Sequence, residues 1–193
     1  MARFIVGITG ASGSIYGARL TEELLKQKDE VYLIITDNGR RVLEFELDIN
    51  FQSWLDRLNR LYGGLNLCDI KDMFSSVASG SFRTEGMVIA PCSMGSLAKI
   101  SNGVTDNLLI RAADVIIKEK RKLILVPRET PFSSIHLRNM LVLSDLGATI
   151  LPPMPAFYNK PKAIDEIVDN TVGRVLTSLR VDNTLYKEWD GVG

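Results

Sequence analysis

Residues 3–18 read RFIVGITGASGSIYGA, and this stretch decides the fold. Arg3–Thr9 is a continuous apolar run with β-branched residues, the pattern of a strand covered on both faces. Gly10–Ser14 breaks the run with small residues. Ile15–Lys28 then reads as a helix, with Ile15, Ala18, Leu24 and Leu25 able to share a buried stripe. A buried strand, a glycine turn and a helix make the opening unit of a parallel α/β sheet. The apolar stretch Phe4–Ile8 is too short for a signal peptide and runs directly into the turn.

The same alternation continues outward. Glu30–Thr36 reads as a second strand, Gly39–Leu47 as a short helix, and Ser53–Tyr62 as a helix ended by Gly63-Gly64. Met87–Pro91 is the third strand, followed by helices over Ser93–Ile100 and Asp106–Lys118. Lys122–Pro127 is the fourth strand, and Ser133–Leu146 is a helix stopped by Gly147. Ala148–Leu151 is the fifth strand, Ala163–Leu179 the last helix, and the remaining tail carries Trp189. Asp48–Ala78 carries the weakest periodic signal. The expectation is an α/β, doubly wound, mostly parallel sheet of the Rossmann-like or flavodoxin-like kind. It spans residues 1–193 as a single domain, with its ligand at the carboxyl ends of the strands.

Composition removes several function classes. Of 193 residues 46% are apolar, and 23 Lys+Arg balance 23 Asp+Glu, so neither disorder nor nucleic-acid binding by bulk charge is expected. No apolar run approaches the roughly 20 residues of a membrane helix. Cys68 and Cys92 sit in no disulfide or zinc pattern, which points to a reducing, cytoplasmic setting. The sole histidine is His136, and no His/Cys/Asp/Glu set has metal-ligand spacing, so no metal is expected.

The strand ends carry the candidate chemistry. Thr9–Ser14 is a glycine turn opening a helix, where free N–H groups and the helix dipole suit a phosphate. The alternative is that Ser12 or Ser14 merely caps the helix. Thr36-Asp37 follows the second strand as a ribose contact or a cap. Pro91–Ser96 (PCSMGS) is a second small-residue helix start, and two such starts in one sheet suit flavin mononucleotide (FMN). Arg128-Glu129, between Pro127 and Pro131, offers a planar cation for a phosphate or flavin carbonyl and a general acid or base, or else a surface pair. Phe157 and Tyr158, among several prolines, form a stiff aromatic wall.

Taken together, Gly7–Gly17, Ile89–Leu97, Leu109–Met140 and Pro152–Pro161 resemble the UbiX-type flavin prenyltransferases, over nearly the whole chain. The resemblance implies a flavoprotein of this fold, assembled as a homo-oligomer, a dodecamer, with FMN at subunit interfaces. It implies transfer of a dimethylallyl group from dimethylallyl phosphate to N5 and C6 of reduced FMN, for use by a UbiD-type decarboxylase. It places FMN on Gly10, Ala11, Ser12, Thr36, Ser93, Met94, Gly95, Ser96 and Arg128. Thr36 departs mildly from the serine common there. It places the prenyl phosphate on Tyr158 and Arg174, with Lys118 from a neighbouring subunit and Arg111 beside it. Ser12, Glu46 and Glu129 fall at the acid/base positions, and Trp189, in a tail from about residue 181, closes the site.

These residue types suit the reaction. Ionising an allylic phosphate leaves negative charge for Lys118 and Arg174 and positive charge for aromatic faces, in a pocket kept dry. Three rivals stand against it. A cysteine-type oxidative decarboxylase needs a histidine near the first helix and a PASANT segment, where this chain has PCSMGSL. A short-chain dehydrogenase needs Tyr158-x-x-x-Lys162 on a helix, which Pro161 interrupts. The third rival is a non-catalytic FMN carrier.

Overall fold

The structure is a computed structural model, and it describes residues 1–187, 189 and 191. Its centre is a six-stranded sheet: β1 (Arg3–Ile8), β2 (Glu30–Ile35), β3 (Leu65–Cys68), β4 (Gly86–Cys92), β5 (Lys122–Pro127) and β6 (Thr149–Ile150). The strand order is β3-β2-β1-β4-β5-β6, and every pairing is parallel. The helices are α1 (Ser14–Lys26), α2 (Asp37–Leu47), α3 (Phe51–Leu61), α4 (Met94–Ser101), α5 (Leu108–Lys118), α6 (Ser134–Asp145) and α7 (Ile164–Leu179), with one 3-10 turn at Ser76–Ala78.

The expected doubly wound sheet is present, with one strand more than the five read from periodicity. The addition, β3, lies at an edge beside β2, and both Asn66 and Leu67 in it are exposed. A four-residue edge strand has no second covered face, so it lacks the unbroken apolar run that marks the others.

The alternation of side chains divides the core in two. Phe4, Val6, Ile8, Leu33 and Val126 pack on one face of the sheet with Leu20 and Leu24 of α1, Leu58 of α3 and Val172 and Leu176 of α7. Ile5, Ile34, Ile89 and Leu125 pack on the other with Leu97 of α4, Leu109 and Ile116 of α5 and Leu143 of α6. Thus α7 and α5 lie on opposite faces. Strand order reverses between β1 and β4, which opens a crevice beyond their carboxyl ends. Among the described residues no helix is long and apolar enough to cross a membrane.

Candidate active site

Thr9 ties the two halves of the crevice together. Its hydroxyl donates to Pro91 O at 2.7 Å and accepts from Ser93 N at 2.8 Å, and it is fully buried. The end of β1 is thereby held against the end of β4. Beyond them lies a cavity of about 770 Å³ lined by Thr9, Gly10, Thr36, Asp37, Asn38, Ser93, Gly95 and Ser96. Ile70, Lys71, Met73, Lys99, Asp106 and Asn107 complete the wall.

Three helices begin at this cavity, and each is capped by its own side chain. Thr36 accepts from Gly39 N (2.9 Å) at α2, Ser93 from Ser96 N (3.3 Å) at α4, and Asn107 from Ile110 N (3.1 Å) at α5. The Thr36 hydroxyl keeps its proton for a ligand, because accepting uses only a lone pair. Ser93 Oγ donates to Ser96 Oγ at 3.1 Å, which leaves the Ser96 proton to donate onward. Three positive dipole ends and these hydroxyls make the wall fit for an anionic group. Gly10 is needed for shape, since a Cβ there would lie 2.7 Å from Asn38 Cβ.

The first glycine turn corrects the expectation of an open phosphate site. Two of the N–H groups that open α1 are already taken. Glu46, near the end of α2, accepts from Gly13 N at 3.0 Å, Ser14 N at 2.9 Å and Ser14 Oγ at 2.7 Å. Neither Ser12 nor Ser14 caps the helix, because Gly13 is the N-cap residue and has no side chain. Partial burial works against the Glu46 charge. Hydrogen bonds from the Ser12 and Ser14 hydroxyls and from the Gly13 and Ser14 N–H groups outweigh it and hold the carboxyl below its ordinary value. A phosphate at that turn would meet a fixed carboxylate.

The remaining candidates divide by place. Met94 is buried in the core, so it can offer the cavity only its backbone. Ala11 and Ser12 lie in the half-buried turn beside it. Arg128 N donates to Cys92 O at 3.3 Å, which sets the residue beside the start of α4. Glu129 is exposed, and its Oε1 accepts from Thr130 N at 3.0 Å. Tyr158 and Arg174 meet at a second cavity of about 260 Å³, walled by Ile150, Leu151, Pro152, Met154 and Ala156. Trp189 packs edge-on against Tyr158, with ring centroids 5.5 Å apart.

Arg111 and Lys118 are elsewhere. Arg111 donates to Ala78 O at 3.2 Å and pairs with Asp114 at 2.9 Å, while Lys118 pairs with Glu119 at 3.1 Å. Both belong to α5, across the sheet from α7, so one chain cannot bring them to Arg174.

Several cavity residues were not read from the sequence. Those of the 70–73 loop fall in the stretch of weakest signal, and a short loop next to an edge strand leaves no periodic trace. Asn107 was readable in principle as an N-cap before an apolar helix. His136 is engaged in a capping box with Ser133 at the start of α6. Tyr158 and Lys162 lie outside any helix, so the dehydrogenase pair is not presented on one face. Burial pushes the Cys92 thiol up to about 12, which makes it inert as a nucleophile.

Comparison with known proteins gives a consistent picture. The family model described as Flavoprotein matches residues 1–176. The chain is 50% identical over 188 residues to a flavin prenyltransferase UbiX of Alkalihalophilus pseudofirmus, covering 95% of this chain and 94% of that one. It is similar to the crystal structure of AnUbiX (PadA1) in complex with FMN and dimethylallyl pyrophosphate, with TM-score 0.92, 39% identity and coverage of 100% and 99%. It is also similar to a dodecameric FMN-dependent Ubix-like decarboxylase from Escherichia coli O157:H7, with TM-score 0.91, 41% identity and coverage of 98% and 100%.

Proposed function

We propose, for a chain that belongs to the Flavoprotein family and within it to the UbiX-type flavin prenyltransferases, the reaction of that branch. A dimethylallyl group passes from dimethylallyl phosphate to N5 and C6 of reduced FMN, without a metal. The observation that carries this reading is the pair of cavities beyond the carboxyl ends of the strands. One is polar and ringed by helix starts; the other is mostly apolar and ends in Tyr158 and Arg174.

FMN fits the larger cavity. Thr36, Ser93, Ser96 and the backbone of Met94 and Gly95 would hold its phosphate, and Gly10, Ala11, Ser12 and Arg128 would hold the flavin side. When bound, the reduced flavin supplies the nucleophilic ring atoms. Tyr158 and Arg174, with Lys118 and Arg111 of a second copy, take up the charge that grows on the phosphate as its C–O bond breaks. Glu129 delivers a proton to that phosphate. Glu46 stays ionised at neutral pH and accepts from the Ser12 hydroxyl, so the Ser12 oxygen is oriented to accept a proton in turn. Tyr158 and Trp189 cover the prenyl group and keep water out.

On this reading residues 1–193 form one flavoprotein unit. Its tail from about 181 closes the site, although residues 188, 190, 192 and 193 lie outside the described residues. The chain assembles as a dodecamer, in the cytoplasm, where its free Cys68 and Cys92 remain reduced. The product goes to a UbiD-type decarboxylase.

The test is anaerobic incubation with reduced FMN and dimethylallyl phosphate, followed by mass spectrometry of the released flavin. A flavin heavier by one prenyl unit is expected. Unchanged FMN with both the monophosphate and the diphosphate, while FMN stays bound, overturns the reading in favour of a carrier or an FMN-dependent decarboxylase.

A further inference from the structure

We infer that Asn170 is a further substrate-binding residue, whose side-chain amide donates to an oxygen of the phosphate held between Tyr158 and Arg174. The inference rests on the prenyltransferase reading above. Asn170 lines the smaller cavity together with Leu151, Pro152, Met154, Tyr158 and Arg174. It is nine-tenths buried, and its Nδ2, itself closed to solvent, has no hydrogen-bond partner among the described residues, so a half-turn of the amide about χ2 brings the donor to the cavity.

That orphan stands out against its neighbours on α7. The Asp169 carboxylate pairs with Arg19 at 2.7 Å, and the Thr171 hydroxyl donates to Ile167 O at 3.3 Å. Buried amides in folded proteins almost always find a partner. The other orphan among the described residues, Thr84 Oγ1, lines neither cavity. Asn170 therefore combines an unmet donor with a wall position beside Tyr158 and Arg174.

The helix explains what the donor is for. Asn170 and Arg174 are four residues apart on α7, so they stand on one face, one turn above the other. Arg174 is exposed and supplies charge, whereas Asn170 is neutral and lies deeper. Of the other walls, Ile150, Leu151, Pro152, Met154 and Ala156 are apolar, and the Thr171 hydroxyl already donates to Ile167 O. A tetrahedral oxyanion gripped by Arg174 presents several acceptor oxygens, and one directed at Asn170 restores the missing bond. The ligand is then fixed in direction as well as in place, with its prenyl tail against the apolar wall.

The experiment uses the purified FMN-loaded protein and dimethylallyl phosphate. Asn170→Leu is close in size and removes the amide without opening a hole. We expect KM for dimethylallyl phosphate, and its Kd by calorimetry, to rise about tenfold, as for loss of one hydrogen bond to a charged group. FMN affinity should be unchanged, kcat should fall less than KM rises, and Tm should not decrease. Asn170→Ser, smaller and still polar, is the second variant should the leucine not fold, with the same rise in Kd expected. Wild-type Kd and KM in the variants overturn the inference. So does a fall in Tm and kcat with KM unmoved, which marks a packing role. A wild type that transfers no prenyl group fails the underlying reading instead, and the inference falls with it.

Discussion

Glu46 is a carboxylate lodged where an incoming anion was expected. A glycine turn followed by a helix advertises an anion site, and this chain fills it with its own side chain from α2. The consequence is a pH-dependent tie between two elements. Because the folded value lies below the unfolded one, its contribution is complete above about pH 4.3, the ordinary glutamate value. It drains away as pH falls below that, through the depressed folded value. Glu46→Gln should lower Tm near neutrality by roughly 2–4 °C, the equivalent of about 1 kcal/mol for a lost helix cap. Thermal unfolding of both proteins from pH 7 down to pH 3 checks this: the two curves should converge at the acid end. A constant gap across that range would assign Glu46 a packing role without charge. The sequence placed Glu46 in a helix but contained nothing local to show that its partners sit 32 residues back, at Ser14.

At the scale of elements, the contact between α1 and β4 sets the geometry of the crevice. Gly17 faces the sheet, and a Cβ on it would lie 2.2 Å from Ala90 O and 2.8 Å from Ile8 Cγ1. In an exposed helix, glycine to alanine gains about 1 kcal/mol in propensity. Here the added methyl meets a backbone carbonyl of a central strand, which cannot swing aside. Overpacking of roughly 1–3 kcal/mol or more therefore wins, and α1 must lift from the sheet. Gly17→Ala should lower the denaturant midpoint and the occupancy by FMN together. A midpoint at or above the wild-type value would show that helix propensity dominates. Element types were legible wherever both faces of a strand are covered, as in β1, β2, β4 and β5. The short edge strand β3 was not, because half of its pattern is written by solvent.

For the whole molecule, the sheet acts as a partition. Lys118 and Arg111 stand on α5, the helix that packs Leu109 and Ile116 into one core, and Arg174 stands on α7, the helix that packs Val172 and Leu176 into the other. A site that uses both must draw them from two copies. Lys118→Ala and Arg174→Ala should each abolish most prenyl transfer. Dissociating the two variants and reassembling them in equal amounts should recover about a quarter of wild-type activity, as expected for a shared interface populated at random. Failure to recover any activity, with assembled oligomers verified by light scattering, would show that the two residues do not act at one shared site.

The alternation of apolar runs and helical stripes by itself determined the architecture, since the covering of a parallel strand is recorded in its own residues. It also determined the location of the chemistry, because small residues and hydroxyls gather where strands end and helices begin. Tertiary structure alone decided how those pieces are used. The α1 turn is satisfied from within by Glu46, while the starts of α2, α4 and α5 converge on one crevice. Tyr158 meets Trp189 and shares a cavity with Arg174 and with Asn170, whose Nδ2 has no partner among the described residues, whereas Lys118 lies beyond the sheet. The physical reason is range: periodicity and capping act over a few residues, but which donor finds which acceptor depends on the crossing of elements far apart in the chain.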